Sequence, residues 1–166
     1  MKKLIYVLVF PFLLFSCKEI PKQERGIPGP EKVAVERPQS NIDSVEKGLK
    51  EKGYQTFRYE EGDTTYLMQQ YYMVFLKKGE NRSQDSTEAA ELQKQHLAHL
   101  SRMAEEGYAS LIGPLGSNGE IRGIAVYNTA TEKEADSLAK LDPMVKAGRL
   151  KVEVHPWWTT KGGKLN

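Results

Sequence analysis

The chain has 166 residues, and its 24 lysines and arginines against 22 acidic residues leave a net charge of +2. No basic block interleaves with aromatics, which excludes a nucleic-acid-binding surface, and a single cysteine excludes a disulfide scaffold. The length suits one domain with a sizeable core plus a tether.

Lys2 and Lys3 open the chain, and an apolar run from Leu4 to Phe15 follows them. A membrane span needs about 20 apolar residues, so this shorter run with its basic start reads as a secretory signal. Leu14-Phe15-Ser16-Cys17 closes it and resembles a bacterial lipobox. Residues 1–17 are therefore expected to be a lipoprotein signal peptide, with Cys17 as the lipidated residue. The plainer alternative is an ordinary signal peptide with an incidental cysteine. Against it, Cys17 is the only cysteine in the chain, and an exported lone thiol has no intramolecular partner. Acylation removes that reactivity, and at about 0.8 kcal/mol per buried methylene two or three acyl chains hold a small domain at a membrane. Lys18 stands where inner-membrane retention is associated with aspartate, so the expected location is the outer membrane of a Gram-negative envelope. Nothing further along reads as a second transmembrane segment.

Residues 18–42 carry four prolines and many charges with no apolar period, the composition of a flexible tether. An extension over 43–65 comes next. Asp43 to Lys52 is expected to be a short helix capped by Asp43 or Ser44 and stopped by Gly53, and Tyr54 to Glu60 alternates as a strand that turns at Glu61-Gly62-Asp63. Residues 66–77 are rich in aromatic and long apolar side chains at both parities, which predicts a strand buried on both faces. A polar loop leads to a helix beginning at Thr87 and stopped by Gly107. Strands are expected over 108–115 and 120–128 around the Gly116–Gly119 turn, then a helix over 131–141 broken by Asp142-Pro143. A short turn from Met144 to Gly148 precedes a last strand over 149–155, with Leu150, Val152 and Val154 inward. A polar tail bearing Trp157 and Trp158 ends the chain.

From residue 66 the order is strand, helix, strand, strand, helix, strand. This defines an α+β fold of the ferredoxin-like βαββαβ type, with both helices on one sheet face. The other face is left bare although the first strand is apolar on both sides. A second copy covering it is the simplest remedy, so a homodimer is expected.

The chemistry-bearing residues are few. On a helical wheel His96 falls inside the apolar stripe formed by Leu92, Leu100 and Met103, and His99 lies at its edge. Taken alone, His96 is as readily a core histidine with one satisfied hydrogen bond as an acid or base working near neutral pH. Asp142 is as readily a cap for the turn that Pro143 opens. His155 ends an alternating strand, where a surface or dimer contact is expected. A metal shared by His96 and His99 has no acidic or cysteine partner at ligand spacing, so no metal is expected. No nucleophile elbow, phosphate-binding glycine loop or cysteine–histidine arrangement occurs. Gly113, next to Pro114 at the end of an interior strand, suggests close approach of backbone or ligand.

Residues from about 71 to 158 resemble the YCII-related family of small dimeric α+β barrel proteins. The likeness runs through YYMVFLKKG, LQKQHLAHLSRMAEEGYASLIGPLG, IRGIAVYNTATEKEADSLAKLDPMVKAG and LKVEVHPWW. Residues 66–158 are accordingly expected to be the YCII-like domain and 159–166 a polar tail. The resemblance implies that His96 and Asp142 form a dyad, in which the carboxylate fixes the tautomer of the imidazole. Gly113, Pro114 and Arg122 would line its pocket. The expected function is acid–base chemistry of the isomerase or lyase type on a small cyclic or aromatic compound, without a cofactor. The alternatives are a non-catalytic small-molecule-binding lipoprotein and a structural one.

Overall fold

The computed structural model describes residues 39–165. The signal segment, Cys17 and residues 18–38 of the expected tether lie outside the described residues. Helix α1 (Gln39–Glu51) ends before Gly53, whose φ of +82° suits a residue without a Cβ. It starts four residues ahead of Asp43 and so takes in residues 39–42, assigned to the tether on composition. Ile42 is the reason: it is an apolar side chain in a polar stretch, and it is buried. Glu46, one turn on, is also buried and accepts from Arg58 Nε at 2.7 Å and Lys50 Nζ at 2.7 Å. Those two cations hold its carboxyl below the usual carboxylate range.

Strands β1 (Thr56–Glu61) and β2 (Thr64–Lys78) form a hairpin whose two loop residues are Gly62 and Asp63. Gly62, at φ +59°, supplies the positive φ that the first loop position needs. β2 is the axis of the sheet. From Met68 to Lys78 one of its edges pairs with β5 (Leu150–Thr160). A strand has two edges, so β1 (as far as Gln69) and β4 (Ile121–Tyr127, from Tyr72) share the other, end to end. β3 (Ala109–Pro114) pairs with β4, and every pairing is antiparallel. Helix α2 (Ser86–Glu105) joins β2 to β3, and α3 (Glu132–Ala139) and α4 (Pro143–Lys146) join β4 to β5. The order β5-β2-β4-β3 is the ferredoxin-like βαββαβ sheet, with β1 added beside the start of β2.

The expectation that β2 is buried on both faces is met in halves. Tyr72, Val74 and Leu76 lie in the core under α2, α3 and α4, with Met103, Ala125, Tyr127, Ala135, Ala139 and Met144. Complete burial of a valine such as Val74 contributes about 1.5–3 kcal/mol. Leu67, Gln69 and Tyr71, of the opposite parity, are buried on the other face. There Glu46 of α1 reaches Thr56 and Arg58, the β1 residues opposite Gln69 and Leu67. The second face is thus not wholly bare, because α1 covers one end of it. Met73 and Phe75 remain half-buried on the uncovered part.

Three further boundaries differ from expectation. Asp85 rather than Thr87 caps α2, its side chain accepting from the Glu88 N–H at 2.9 Å, while Gly107 follows the helix at φ +79°. The expected turn after Pro143 is a helical turn, α4. The last strand does not end at His155 but runs on to Thr160, so Trp157 and Trp158 lie in the sheet. Among the described residues its only strand neighbour is β2, and an edge strand tolerates Pro156, which lacks the N–H that a doubly paired strand uses.

Candidate active site

Asp142 owes its position to the proline after it. The ring of Pro143 pushes the preceding residue out of helical backbone, and Asp142 sits at φ −57°, ψ 127° as the N-cap of α4. Its Oδ1 accepts from the Met144 N–H at 2.8 Å. Its Oδ2 lies 2.5 Å from Nδ1 of His96, which α2 projects from its buried stripe. Asp142 is 1% exposed and His96 8%. Both carboxyl oxygens are therefore committed, one to the backbone and one to the ring. With the carboxyl accepting, Nδ1 of His96 carries the hydrogen in the neutral ring, and the lone pair is on Nε2. Among the described residues no hydrogen bond engages that nitrogen.

His99, expected at the edge of the stripe, is buried more deeply than His96, at 4% exposure. Its Nδ1 lies 3.1 Å from Arg102 Nη2. A guanidinium only donates, so Nδ1 accepts and the hydrogen of the neutral ring is on Nε2. That Nε2 is buried without a partner among the described residues, an arrangement that costs about 1–3 kcal/mol when a donor is left unmet. Burial pushes the His99 pKa down, and the nearby cations and His96 add to the effect while Asp142 opposes it. Tyr127 of β4, on the core face, is 1% exposed. Burial first, and then the charge of Asp142, push its hydroxyl up to about 12.

Of the residues expected at the site, the structure brings His96 and Asp142 together and leaves Gly113, Pro114 and Arg122 on the β3–β4 ribbon. Pro114 pairs with Gly123, which pairs with Leu76, so it is in a row of the helix face. Gly113 is in the row of Ile124 and Phe75, on the face away from α2. Arg122 falls where the β2–β4 register shifts, is exposed, and donates from Nη1 to the Gly119 carbonyl at 3.4 Å. No hydrogen bond or ion pair joins these three to the His96–Asp142 pair among the described residues. Nor does backbone crowd Gly113: a Cβ there would meet open space, whereas one on Gly123 would come within 2.9 Å of the Gly113 oxygen. His155 is exposed and bonds Glu153 Oε1 through Nε2 at 2.7 Å.

Two open clefts lie elsewhere, around Gly79 and Glu80. Lys78, Arg82, Glu120 and Lys151 line one, and Lys140, Val145 and Val152 help line the other. Both are shallow with charges of mixed sign, and neither reaches His96 or Asp142. Among the described residues no three His, Cys, Asp or Glu side chains gather to hold a metal.

The fold and the pair define an α+β domain of ferredoxin-like topology whose helix face buries an imidazole–carboxylate couple. The family model described as YCII-related domain matches residues 70–158, and the chain belongs to that family. The match takes in most of the sheet and leaves α1, β1 and the start of β2 outside it. Eight chains of solved structures match. One is the 5-chloro-2-hydroxyhydroquinone dehydrochlorinase from Burkholderia phenoliruptrix AC1100, in complex with 2,5-dihydroxybenzoquinone. It is 19% identical, with a TM-score of 0.40 over 52% of this chain and 92% of that one. No curated protein matches.

Proposed function

We propose that the protein is an acid–base enzyme of the isomerase or lyase type, acting on a small cyclic or aromatic compound. The observation that carries this reading is the 2.5 Å contact between His96 Nδ1 and a buried Asp142 whose other oxygen is fixed by the Met144 N–H. A pair so held cannot swing, and its free nitrogen is the one suited to take a proton. His96 Nε2 removes a proton from a C–H or O–H bond of the substrate, leaving the electron pair in the conjugated ring. In an isomerisation the proton returns to a different atom, and in an elimination the electron pair expels a leaving anion. Asp142 holds the ring in the productive tautomer and faces the imidazolium as it forms. Proton transfer of this kind contributes about 10²–10⁴-fold.

The test is the rate at which the ring C–H hydrogens of 2,5-dihydroxybenzoquinone exchange for deuterium, followed by proton NMR. Wild type should accelerate exchange and His96→Gln should not. An unchanged rate in that variant overturns the reading. So does a wild type that binds the compound stoichiometrically and returns it unexchanged, which is the behaviour of a binding module.

The reading includes two features of setting. The chain is anchored through lipid on Cys17 at the outer membrane; incorporation of an alkynyl fatty acid, abolished by Cys17→Ser, is the expected result. The uncovered part of the sheet around Phe75 is closed by a second copy, making a homodimer. Both rest on the sequence pattern and on unburied apolar surface.

A further inference from the structure

His99 is a buried polar side chain that the reaction above does not use. It lies on the same helix as His96 and about 60° round from it. Both rings share the electrostatic neighbourhood of Asp142. Arg102 fixes its tautomer by donating to Nδ1, which puts the hydrogen on Nε2. That N–H is buried with nothing to accept it among the described residues. Buried donors are nearly always satisfied, and this one belongs to a ring that burial keeps neutral. The two rings, three residues apart on α2, thus carry complementary Nε2 atoms: His96 a lone pair, His99 a hydrogen.

We propose that His99 is the ligand-binding donor of the site, its Nε2–H bonding the substrate oxygen on which negative charge gathers when His96 takes the proton. The inference rests on the function proposed above and adds the substrate class: a cyclic compound with a carbonyl or enolic oxygen conjugated to the acidic hydrogen. A neutral imidazole fits this role, because it donates without a proton of its own to lose at working pH. Arg102 is then a positioning residue, acting on the ligand only through the tautomer it imposes.

The experiment uses the full chain with 2,5-dihydroxybenzoquinone as probe and reads the histidine rings by proton–nitrogen NMR. The expected result is that the probe shifts the His99 Nε2–H resonance and slows its exchange with water. Loss of a donor to a developing oxyanion costs about 10²–10³-fold in rate, so His99→Phe should slow deuterium exchange of the probe by that factor. His99→Gln keeps an amide N–H near the Nε2 position and should recover most of the loss. A probe that shifts the His96 resonances but leaves His99 unmoved overturns the assignment while sparing the base, and then the N–H is met by a bound water only. Equal rates for wild type and His99→Phe do the same. Wild-type exchange in His96→Gln instead removes the base reading. A probe that perturbs neither ring removes both.

Discussion

Asp142 performs two tasks with two oxygens, and a one-atom change separates them. In Asp142→Asn the amide oxygen still caps α4, and Asn is as good a cap as Asp. The amide NH₂ must then face His96, offering a hydrogen where the ring had one of its own, so the ring moves its hydrogen to Nε2. The expected outcome is near-native stability in urea, within about 1 kcal/mol, with turnover reduced by up to about 10⁴-fold because the nitrogen that should accept now donates. Nitrogen-15 spectra check the premise directly: wild-type His96 should be the Nδ1–H tautomer and His99 the Nε2–H tautomer. His99 also gives a pH signature. Its folded pKa is below the ordinary value of 6.5, so between those two values the unfolded chain binds more protons. Stability is then full above pH 6.5 and falls as pH drops through it toward the folded value. The difference in unfolding free energy between wild type and His99→Gln should rise with pH across that window, and parallel profiles would contradict it. The place of His96 in the apolar stripe and the capping backbone of Asp142 were legible locally, from helical spacing and a DP dipeptide, whereas their pairing was implied only by the family resemblance. The burial of His99 was not, since a wheel gives the angle of a side chain but not what docks against it, and α4 packs on that side of α2.

At the level of elements, close approach rather than propensity sets the sensitive positions. The end of β2 passes under the turn that feeds β5, where the Gly79 N–H donates to the Arg149 carbonyl at 3.0 Å. A Cβ on Gly79 would overlap the backbone oxygen of Gly148. Gly79→Ala should therefore cost about 1–3 kcal/mol or more, as overpacking does where only backbone can yield. Gly48, inside α1, is the opposite case: a Cβ there meets nothing within 4 Å, and Gly48→Ala should add about 0.5–1 kcal/mol. Denaturant titration of both variants tests the pair. Most strands and helices could be read from pattern, but the length of β5 could not. A proline followed by two tryptophans resembles a tail until β2, fifteen residues long, is seen to extend beneath it. The start of α1 was hidden similarly, by one isoleucine among polar residues.

At the level of the whole molecule, the open region of the sheet is the determining surface. Phe75 lies there edge-on to His155, at 5.6 Å between ring centroids, and Glu153 beside them pairs with Lys77 at 2.8 Å. If a second copy closes this region, Phe75→Glu should convert a dimer into a monomer in light-scattering chromatography with the helix-face core intact. A wild type that elutes as a monomer would refute the dimer. The sheet has a further consequence, which follows from the change of buried parity between Tyr71 and Tyr72. A single-residue insertion in an ordinary half-buried strand turns everything beyond it the wrong way. Here the two halves are already buried on opposite faces, so an insertion or deletion at that point would bring both apolar sets onto one side. Either α1 or the α2–α4 layer would then lose its floor. The N-terminal extension and the family domain are thus locked in phase along a shared strand, and lineages or designers could graft one onto the other only in even-numbered steps.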